Sequence, residues 1–370
     1  MRNWDVDWSV IGDKPDPVIT ELPAGRRLVT TPLSNIKMKN ALWLYDKRIP
    51  VGAISLIAGR EGIGKSTILT DLLAKITQGT LPGVYKGTPH SVGIIAAEDD
   101  YEAVIAPRFY AAGADLSRVH RVEVEEDGMA DTVSVPIDLV KLEEWCAETD
   151  VVALDLDPAM SVISGKLDTH IDREVRKALD PLQRFCHRSN IAAIGLIHVN
   201  KSATTDALTA VMGSKAFVAV PRSVLFCMND PDDAESYLFG HPKSNLARKQ
   251  PTIGYQLSGY RINRDGEEPI DTSKVCWGGE DTRSINEAMS QERIDRVTGE
   301  LATEILEWVE GENRAVTTAE IEAHFAPDTK AGTIRKNLER MVNRGKLTQP
   351  MRAHYAINHH AALKDDESSL

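Results

Sequence analysis

The feature that most restricts the fold is the segment GREGIGKS, residues 59–66. An apolar run precedes it at 51–58, and a stretch with helical periodicity follows at 66–78. A glycine-rich loop between a strand and a helix directs backbone N–H groups and the positive end of the helix at an anion. The G-x-x-x-x-G-K-[ST] spacing adds a lysine for the β- and γ-phosphates and a hydroxyl for Mg²⁺. The segment therefore predicts an ATP and Mg²⁺ site that contains Gly59, Arg60, Glu61, Gly62, Ile63, Gly64, Lys65, Ser66 and Thr67.

Apolar runs of strand length continue to alternate with helical stretches as far as residue 280. The pattern predicts an amphipathic helix over residues 172–188 and strands at 91–97, 151–156, 191–197 and 223–228. Continuous apolar strands separated by helices are typical of a largely parallel sheet with helices on both faces. We therefore expect an α/β ATPase domain over residues 26–280.

The remaining sequence predicts several smaller parts around this domain, and 370 residues suit one such domain plus a small one. Several prolines and little periodicity predict a flexible leader at residues 1–25. A charged stretch at 281–299 predicts a linker or linker helix. Residues 300–358 predict three helices and a β-hairpin, and residues 359–370 a disordered tail.

Composition limits the classes of protein that fit. The net charge of −12 argues against nucleic acid covering the whole surface, although a local basic patch is enough for DNA contact. The four cysteines form no CxxC pair, so we expect reduced core residues and neither a zinc nor a redox site. No apolar run reaches the roughly 18 residues of a membrane span, and the polar N-terminus is unlike a signal peptide. These features predict a soluble cytoplasmic protein.

Acidic side chains at two predicted strand ends are candidates for the chemistry of hydrolysis. Glu98 follows the strand at residues 91–97, where a carboxylate polarises an attacking water. Asp155 and Asp157 follow an apolar run, the arrangement that holds Mg²⁺, and strand alternation puts both on one face. His198 ends another strand, where a polar side chain can sense the γ-phosphate.

Taken in order, these segments resemble RecA-like ATPases related to the RepA-type hexameric replicative helicases. The closer resemblance is to AAA-family ATPases of phages and actinobacterial mobile elements. It rests on ALWLYDKRIPVG, AGREGIGKST, IIAAEDD, LDPAMSVISGKLDTHIDREVRKALDPL, IGLIHVNKS, MGSKAFVAVPRSVLF and PKSNLARK, spread over about residues 40–280.

The resemblance implies a role for individual residues. Lys65 and Ser66, or Thr67, bind phosphate and metal, Glu98 is the catalytic glutamate, and His198 is the sensor. Asp157 is the Walker B acid, and Asp155 stands where the family has an apolar residue, so the metal-binding acid is left open between the two.

The resemblance also implies a homo-oligomeric ring or filament, in which a basic residue of one copy completes the site of its neighbour. Arg222, Lys243 and Arg248 are the candidates, with Lys243 preferred. A surface salt bridge is the alternative interpretation of each. The polar stretch at residues 203–212 is the candidate for a DNA-contacting loop.

Residues 300–358 resemble a winged helix with an unequal distribution of charge. The first two helices are acidic, whereas the third carries basic residues at helical spacing. A basic helix after a helix–turn is typical of DNA-groove recognition, although winged helices also bind proteins. The predicted DNA-binding residues are Arg335, Lys336, Arg340 and Arg344.

These observations favour a DNA-directed ATPase, a replicative helicase or translocase. Two alternatives stay open. One is a recombination or repair ATPase on single-stranded DNA, and the other is an ATP-switched DNA-binding regulator. A small-molecule kinase fits less well, because the chain has no arginine-rich lid segment.

Overall fold

The computed structural model describes residues 28–126, 128–200, 204–326, 329–343 and 345–358. The predicted leader (1–25) and tail (359–370) lie outside these residues. The chain divides into two compact units, Met1–Asn40 and Ala41–Leu370. In the first unit, the described residues contain a 3-10 turn at Leu33–Asn35, and apolar side chains such as Leu33 and Met38 are exposed.

The second unit contains all the strands of the described chain. They are β1 (Trp43–Tyr45), β2 (Ile49–Pro50), β3 (Ile54–Gly59), β4 (Ser91–Ala96), β5 (Val119–Arg121), β6 (Val124–Glu126), β7 (Met129–Asp131), β8 (Val151–Asp157), β9 (Ala192–His198), β10 (Ser223–Asp230), β11 (Asp233–Ser244), β12 (Thr252–Ile262), β13 (Ile270–Asp281), β14 (Val316–Thr317), β15 (Leu347–Met351) and β16 (His354–Ile357).

The helices of the same unit are α1 (Lys65–Thr77), α2 (Ala106–Ala111), α3 (Leu139–Glu148), α4 (Asp172–Ser189), α5 (Ala207–Ala210), α6 (Ala216–Ala219), α7 (Ile285–Glu312), α8 (Thr318–Phe325) and α9 (Ala331–Asn343). Among the described residues, no helix combines the length and apolar character needed to cross a membrane.

The central sheet has nine strands in the order β13-β12-β11-β10-β3-β9-β8-β4-β5. The six strands from β10 to β5 run parallel, as the alternation of apolar runs and helices predicts. Strands β11, β12 and β13 extend the sheet as antiparallel neighbours, which the sequence analysis did not anticipate. A large, mostly parallel sheet of this kind fits a RecA-like P-loop core.

Helices cover both faces of the parallel part. Successive residues of each strand point to opposite sides, so a continuous apolar strand gives both faces apolar side chains to bury. Leu56 of β3 belongs to one apolar core with Phe185 of α4. Its neighbour Ile57 belongs to a second core with Leu72 of α1. The fully buried pattern of β3 follows from this two-sided cover.

The strand order brings the carboxyl ends of four strands to one edge of the sheet. Strand β9 lies between β3 and β8, with Gly59 opposite His198. Strand β4 lies on the other side of β8, with Ala96 opposite Asp157. The phosphate loop and the polar strand ends singled out in the sequence therefore share this edge.

Helix α7 covers most of residues 281–299, which agrees with the linker helix that was one of the two alternatives for this stretch. Ser284 accepts a hydrogen bond from the Glu287 N–H while the Glu287 carboxylate accepts one from the Ser284 N–H, and this capping box starts the helix. The helix continues without a break through the predicted first helix of the C-terminal part. Near its start, Ile285 packs against Gly240, and its later turns pack against α9 and β16.

The C-terminal part has its own apolar core and a small sheet of order β14-β16-β15. Strand β14 is additional to the predicted three helices and hairpin. The core residues are Leu301, Ile305, Val309, Val316, Ile321, Ile334, Leu338, Met341 and Leu347.

The four cysteines are free thiols, as expected, and Cys146, Cys186 and Cys227 are buried. Cys276 is exposed on β13, so the expectation that all four are core residues is wrong at this position. It fails because β13 belongs to the antiparallel extension, which has one face open to solvent.

Candidate functional site

Two glycines of the loop that joins β3 to α1 hold left-handed backbone conformations. Gly62 has φ of 76° and Gly64 has φ of 81°. At Gly64 an added Cβ would lie 2.7 Å from Cδ2 of Leu257, and at Gly59 it would lie 2.7 Å from the carbonyl oxygen of Cys227. The backbone conformation therefore disfavours a side chain at Gly64, where Leu257 would also have to move, and the backbone of Cys227 leaves no space for one at Gly59.

Lys65 begins α1, and its side chain turns back over the loop. The Nζ donates a hydrogen bond to the carbonyl of Arg60 at 2.7 Å and lies 3.4 Å from Nδ1 of His198. Burial lowers the pKa of the Lys65 ammonium, and nearby negative charges, including Asp157 and Glu98, oppose this shift. The structure thus brings the loop lysine and the predicted sensor into contact.

Ser66 and Asp157 join α1 to the end of β8. The Ser66 Oγ donates a hydrogen bond to the Asp157 Oδ2 at 2.9 Å. Burial raises the pKa of Asp157, and the hydrogen bond from Ser66 acts in the opposite direction. A hydroxyl and a carboxylate oxygen at this separation are the hard ligands that Mg²⁺ uses beside phosphate groups.

Asp155 lies one alternation earlier on β8 and has a different environment. Its side chain is buried, and its Oδ1 has no hydrogen-bond partner among the described residues. Burial raises the pKa of Asp155 well above its ordinary value, and the charge of Asp157 adds to the shift. Of the two carboxyl groups, Asp157 is the one in contact with the loop.

The three acids that follow β4 differ in what they contact. Asp99 forms an ion pair with Arg108 at 2.6 Å. Asp100 accepts hydrogen bonds from the backbone N–H groups of Glu102 and Ala103. Glu98 is exposed and forms no hydrogen bond or ion pair with the described residues, and its charge acts on both Lys65 and Asp157. Glu98 is therefore the acid of this group that is not held by a structural contact.

The antiparallel strands contribute side chains that the sequence analysis missed. The Tyr255 hydroxyl donates a hydrogen bond to the Ile63 carbonyl at 2.7 Å. The Trp277 Nε1 donates one to the Asp71 Oδ2 at 2.7 Å, which ties β13 to α1. The pairing of β11, β12 and β13 with the parallel sheet brings these residues to the loop and to α1. No local sequence pattern predicts these contacts.

Arg222 and Lys243 lie at the opposite edge of the sheet from the loop. The Arg222 N–H donates to the carbonyl of Ile54, the first residue of β3. The Lys243 Nζ donates to the carbonyls of Ala219 and Pro221, at 3.2 and 2.8 Å. The structure does not bring either residue to the site of its own chain, and Arg248 is exposed on a neighbouring loop.

The predicted DNA-contacting loop at residues 203–212 is described from residue 204 onward. It contains α5, and Val211 pairs with Val199 in an isolated bridge. Asp206 accepts a hydrogen bond from the Asn286 Nδ2 at 3.2 Å, so this segment contacts the start of α7.

The predicted DNA-binding residues lie on or beside α9. Lys336 and Arg340 are exposed, one helical turn apart. The Arg335 Nε donates to the Glu322 carboxylate of α8 at 2.6 Å. Arg344 lies outside the described residues.

The residues at this edge of the sheet lie in a part of the chain that matches a known protein family. Residues 26–204 match the family described as an AAA domain. The matched range includes the loop, Glu98, Asp157 and His198, and it ends before β10. No curated protein matches the chain.

The match supports a P-loop ATPase of the AAA family, and an AAA domain implies nucleotide binding, typically with Mg²⁺. Among the described residues, no group of three or more His, Cys, Asp or Glu side chains is arranged to hold a metal.

Proposed function

We propose that this chain is an ATP-hydrolysing, DNA-directed P-loop ATPase, a replicative helicase or translocase of the RepA type. The observation that carries the ATPase half of the proposal is the hydrogen bond from Ser66 to Asp157, made where the carboxyl ends of β3, β9, β8 and β4 meet. Hydrolysis of a nucleoside triphosphate needs a phosphate cradle, a metal ligand and a water-orienting group together, and this edge holds a candidate for each of them.

Each side chain of the site then has a distinct role. Lys65 and the loop N–H groups bind the β- and γ-phosphates, and Ser66 with Asp157 would hold Mg²⁺, which supplies charge neutralisation on the phosphates. Glu98 orients the attacking water, since it is exposed and not bound to a structural partner. His198, within 3.4 Å of the Lys65 Nζ, is placed to respond when the γ-phosphate leaves.

The C-terminal part supports the DNA-directed half of the proposal. Its order of three helices and a three-stranded sheet agrees with a winged helix, in which α9 is the recognition helix. Lys336 and Arg340 give α9 an exposed basic face, and Arg335 of the same helix pairs with Glu322 of α8. Phosphate contacts from such a face would dominate the affinity for DNA.

In this proposal, helix α7 connects the nucleotide site to the DNA-binding part. It runs unbroken from the sheet to the C-terminal core. Near its start, Glu292 pairs with Arg60 of the phosphate loop at 3.5 Å. Motion of the loop or of the segment beyond His198 would therefore reach the DNA-binding part through one helix.

A ring or filament of identical copies would complete the site. Arg222 and Lys243 lie at the far edge of the sheet, so they can serve only the site of a neighbouring copy. The ammonium of Lys243 already binds backbone carbonyls, which makes the exposed Arg222 and Arg248 better candidates for the trans-acting residue.

The experiment for the catalytic half is ATP turnover by the purified chain with matched variants. Lys65→Ala and Glu98→Gln should each lower turnover by about 100-fold or more, because they remove transition-state charge stabilisation or water orientation. Lys86→Ala and Glu102→Gln remove exposed side chains of the same types and should leave turnover unchanged. Full activity in Glu98→Gln would reject the assignment of Glu98.

A further inference from the structure

Tyr255 is a buried aromatic residue of β12 that contacts the backbone of the phosphate loop. Its side chain is 1 % exposed, and its hydroxyl donates to the Ile63 carbonyl at 2.7 Å. The ring stacks on Tyr237 with centroids 5.2 Å apart and lies 6.1 Å from Trp277. Packing therefore fixes the ring, and the ring fixes the position of the hydroxyl.

The carbonyl that Tyr255 holds belongs to the peptide bond between Ile63 and Gly64. In a planar trans peptide, the C=O and the N–H of the next residue point in opposite directions. A carbonyl held toward β12 thus directs the Gly64 N–H away from β12. The glycines on both sides of Ile63 have positive φ, and glycine adopts many other conformations at low cost, so the loop backbone alone does not fix this plane.

We infer that Tyr255 is a positioning residue of the nucleotide site, which orients the Gly64 N–H toward the bound phosphates through the Ile63 carbonyl. The inference rests on the proposed ATPase function. Orientation before binding removes part of the ordering cost that a mobile loop would add when the nucleotide binds.

Two further contacts show that the β12–β13 hairpin holds the loop and its helix as a unit. Leu257, two residues after Tyr255 on β12, lies directly against Gly64. On β13, Trp277 donates to Asp71 in the second turn of α1, and Lys75 lies 5.4 Å from its ring centroid. The hairpin therefore contacts the peptide before α1 and the helix after it, and Tyr255 is the residue that reaches the peptide plane.

The test compares Tyr255→Phe with Tyr237→Phe. Both variants keep the ring, but only the first removes a hydroxyl bound to the loop. We expect Tyr255→Phe to raise the Kd for ATP with Mg²⁺, measured by calorimetry on the full chain, by about tenfold, which corresponds to about 1.4 kcal/mol. Tyr237→Phe should bind ATP as the unmodified chain does. Equal Kd values for all three proteins, with measurable binding, would overturn the inference.

A second measurement does not depend on ATP binding. Labelling with ¹³C′ isoleucine and ¹⁵N glycine reports only the four Ile–Gly peptide bonds of the chain, one of which is Ile63–Gly64. The Gly64 amide signal should shift in Tyr255→Phe and stay in place in Tyr237→Phe. An unmoved Gly64 signal would overturn the inference, whereas failure of the unmodified chain to bind ATP would overturn the proposed function.

Discussion

The Ser66 hydroxyl donates a hydrogen bond to the Asp157 carboxylate across 2.9 Å, from the first turn of α1 to the last residue of β8. These two residues are 91 positions apart in the chain. The strand order permits the contact, because β3 and β8 are both parallel neighbours of β9 and their carboxyl ends lie at the same edge of the sheet.

Asp157→Asn should weaken the response to Mg²⁺ much more than Asp155→Asn. Only Asp157 contacts Ser66, and the loss of a residue that orients a metal's ligand costs about 10–100-fold in metal affinity. The measurement is the Mg²⁺ concentration that gives half-maximal ATP turnover. We expect Asp155→Asn to stay within about threefold of the unmodified chain. The opposite ranking would make Asp155 the metal-binding acid.

Charge reversal on α9 should weaken DNA binding in a salt-dependent way. Lys336→Glu with Arg340→Glu removes two phosphate contacts, so the slope of log K against log salt should fall by about two, along with the affinity. Fluorescence anisotropy at several salt concentrations gives both quantities. The control, Lys47→Glu with Lys86→Glu, changes the net charge equally at exposed sites outside α9. Equal losses in the two double variants would assign the effect to net charge and remove α9 from the interface.

The stability of the fold should depend on pH through His241. Its Nε2 lies 2.9 Å from the Ser223 Oγ. Burial, with a contribution from the positive charge of Arg48, lowers the pKa of His241 from 6.5 to about 4. In the unfolded chain, His241 therefore binds a proton as the pH falls below 6.5. In the folded chain it binds that proton only near pH 4. The contribution of the neutral, buried His241 to the unfolding free energy is therefore fully present above pH 6.5 and is lost as the pH falls toward 4.

The expected loss of unfolding free energy from this residue between pH 7 and pH 4 is about 3 kcal/mol, at about 1.4 kcal/mol per pKa unit. Urea unfolding across this range should show a shallower decline for His241→Gln than for the unmodified chain. His187→Gln, at an exposed histidine of α4, should follow the unmodified chain. Parallel curves of unfolding free energy against pH for all three proteins would contradict the assignment of this pH dependence to His241.

Ser284→Ala should destabilise the start of α7, because it removes half of the capping box. The loss of a serine cap costs about 1 kcal/mol, measurable as a lower midpoint in urea. Ser258→Ala, on β12, does not cap a helix and is the matched control. An unchanged midpoint in Ser284→Ala would mean that packing of Ile285 alone fixes the start of the helix.

The parallel core could be predicted from the sequence because its signals are local. Each of its main strands is a continuous apolar run, and observed ends lie within a few residues of the predicted ones, as with β8 at Val151–Asp157. The phosphate loop has a spacing dictated by its chemistry, so its glycines could be named in advance. The strand-end positions of Asp157 and His198 follow from the same pattern.

The antiparallel extension could not be predicted in the same way. Strands β11, β12 and β13 have one partly exposed face, so polar residues interrupt their apolar residues and no continuous run marks them. Tyr255 therefore carries no local signal for its contact with Ile63, which lies 192 positions earlier. The charged first turns of α7 leave open whether residues 281–299 form a linker or a linker helix, although Ser284 and Glu287 match the capping-box pattern.

The most direct test of the central claim is the rate of ATP turnover with and without single-stranded DNA. A DNA-directed motor should show turnover stimulated about tenfold or more by DNA, with the stimulation absent in Lys65→Ala and Glu98→Gln and reduced in the α9 double variant. Turnover that does not respond to DNA would contradict the motor, and it would favour a regulator whose DNA binding is switched by ATP.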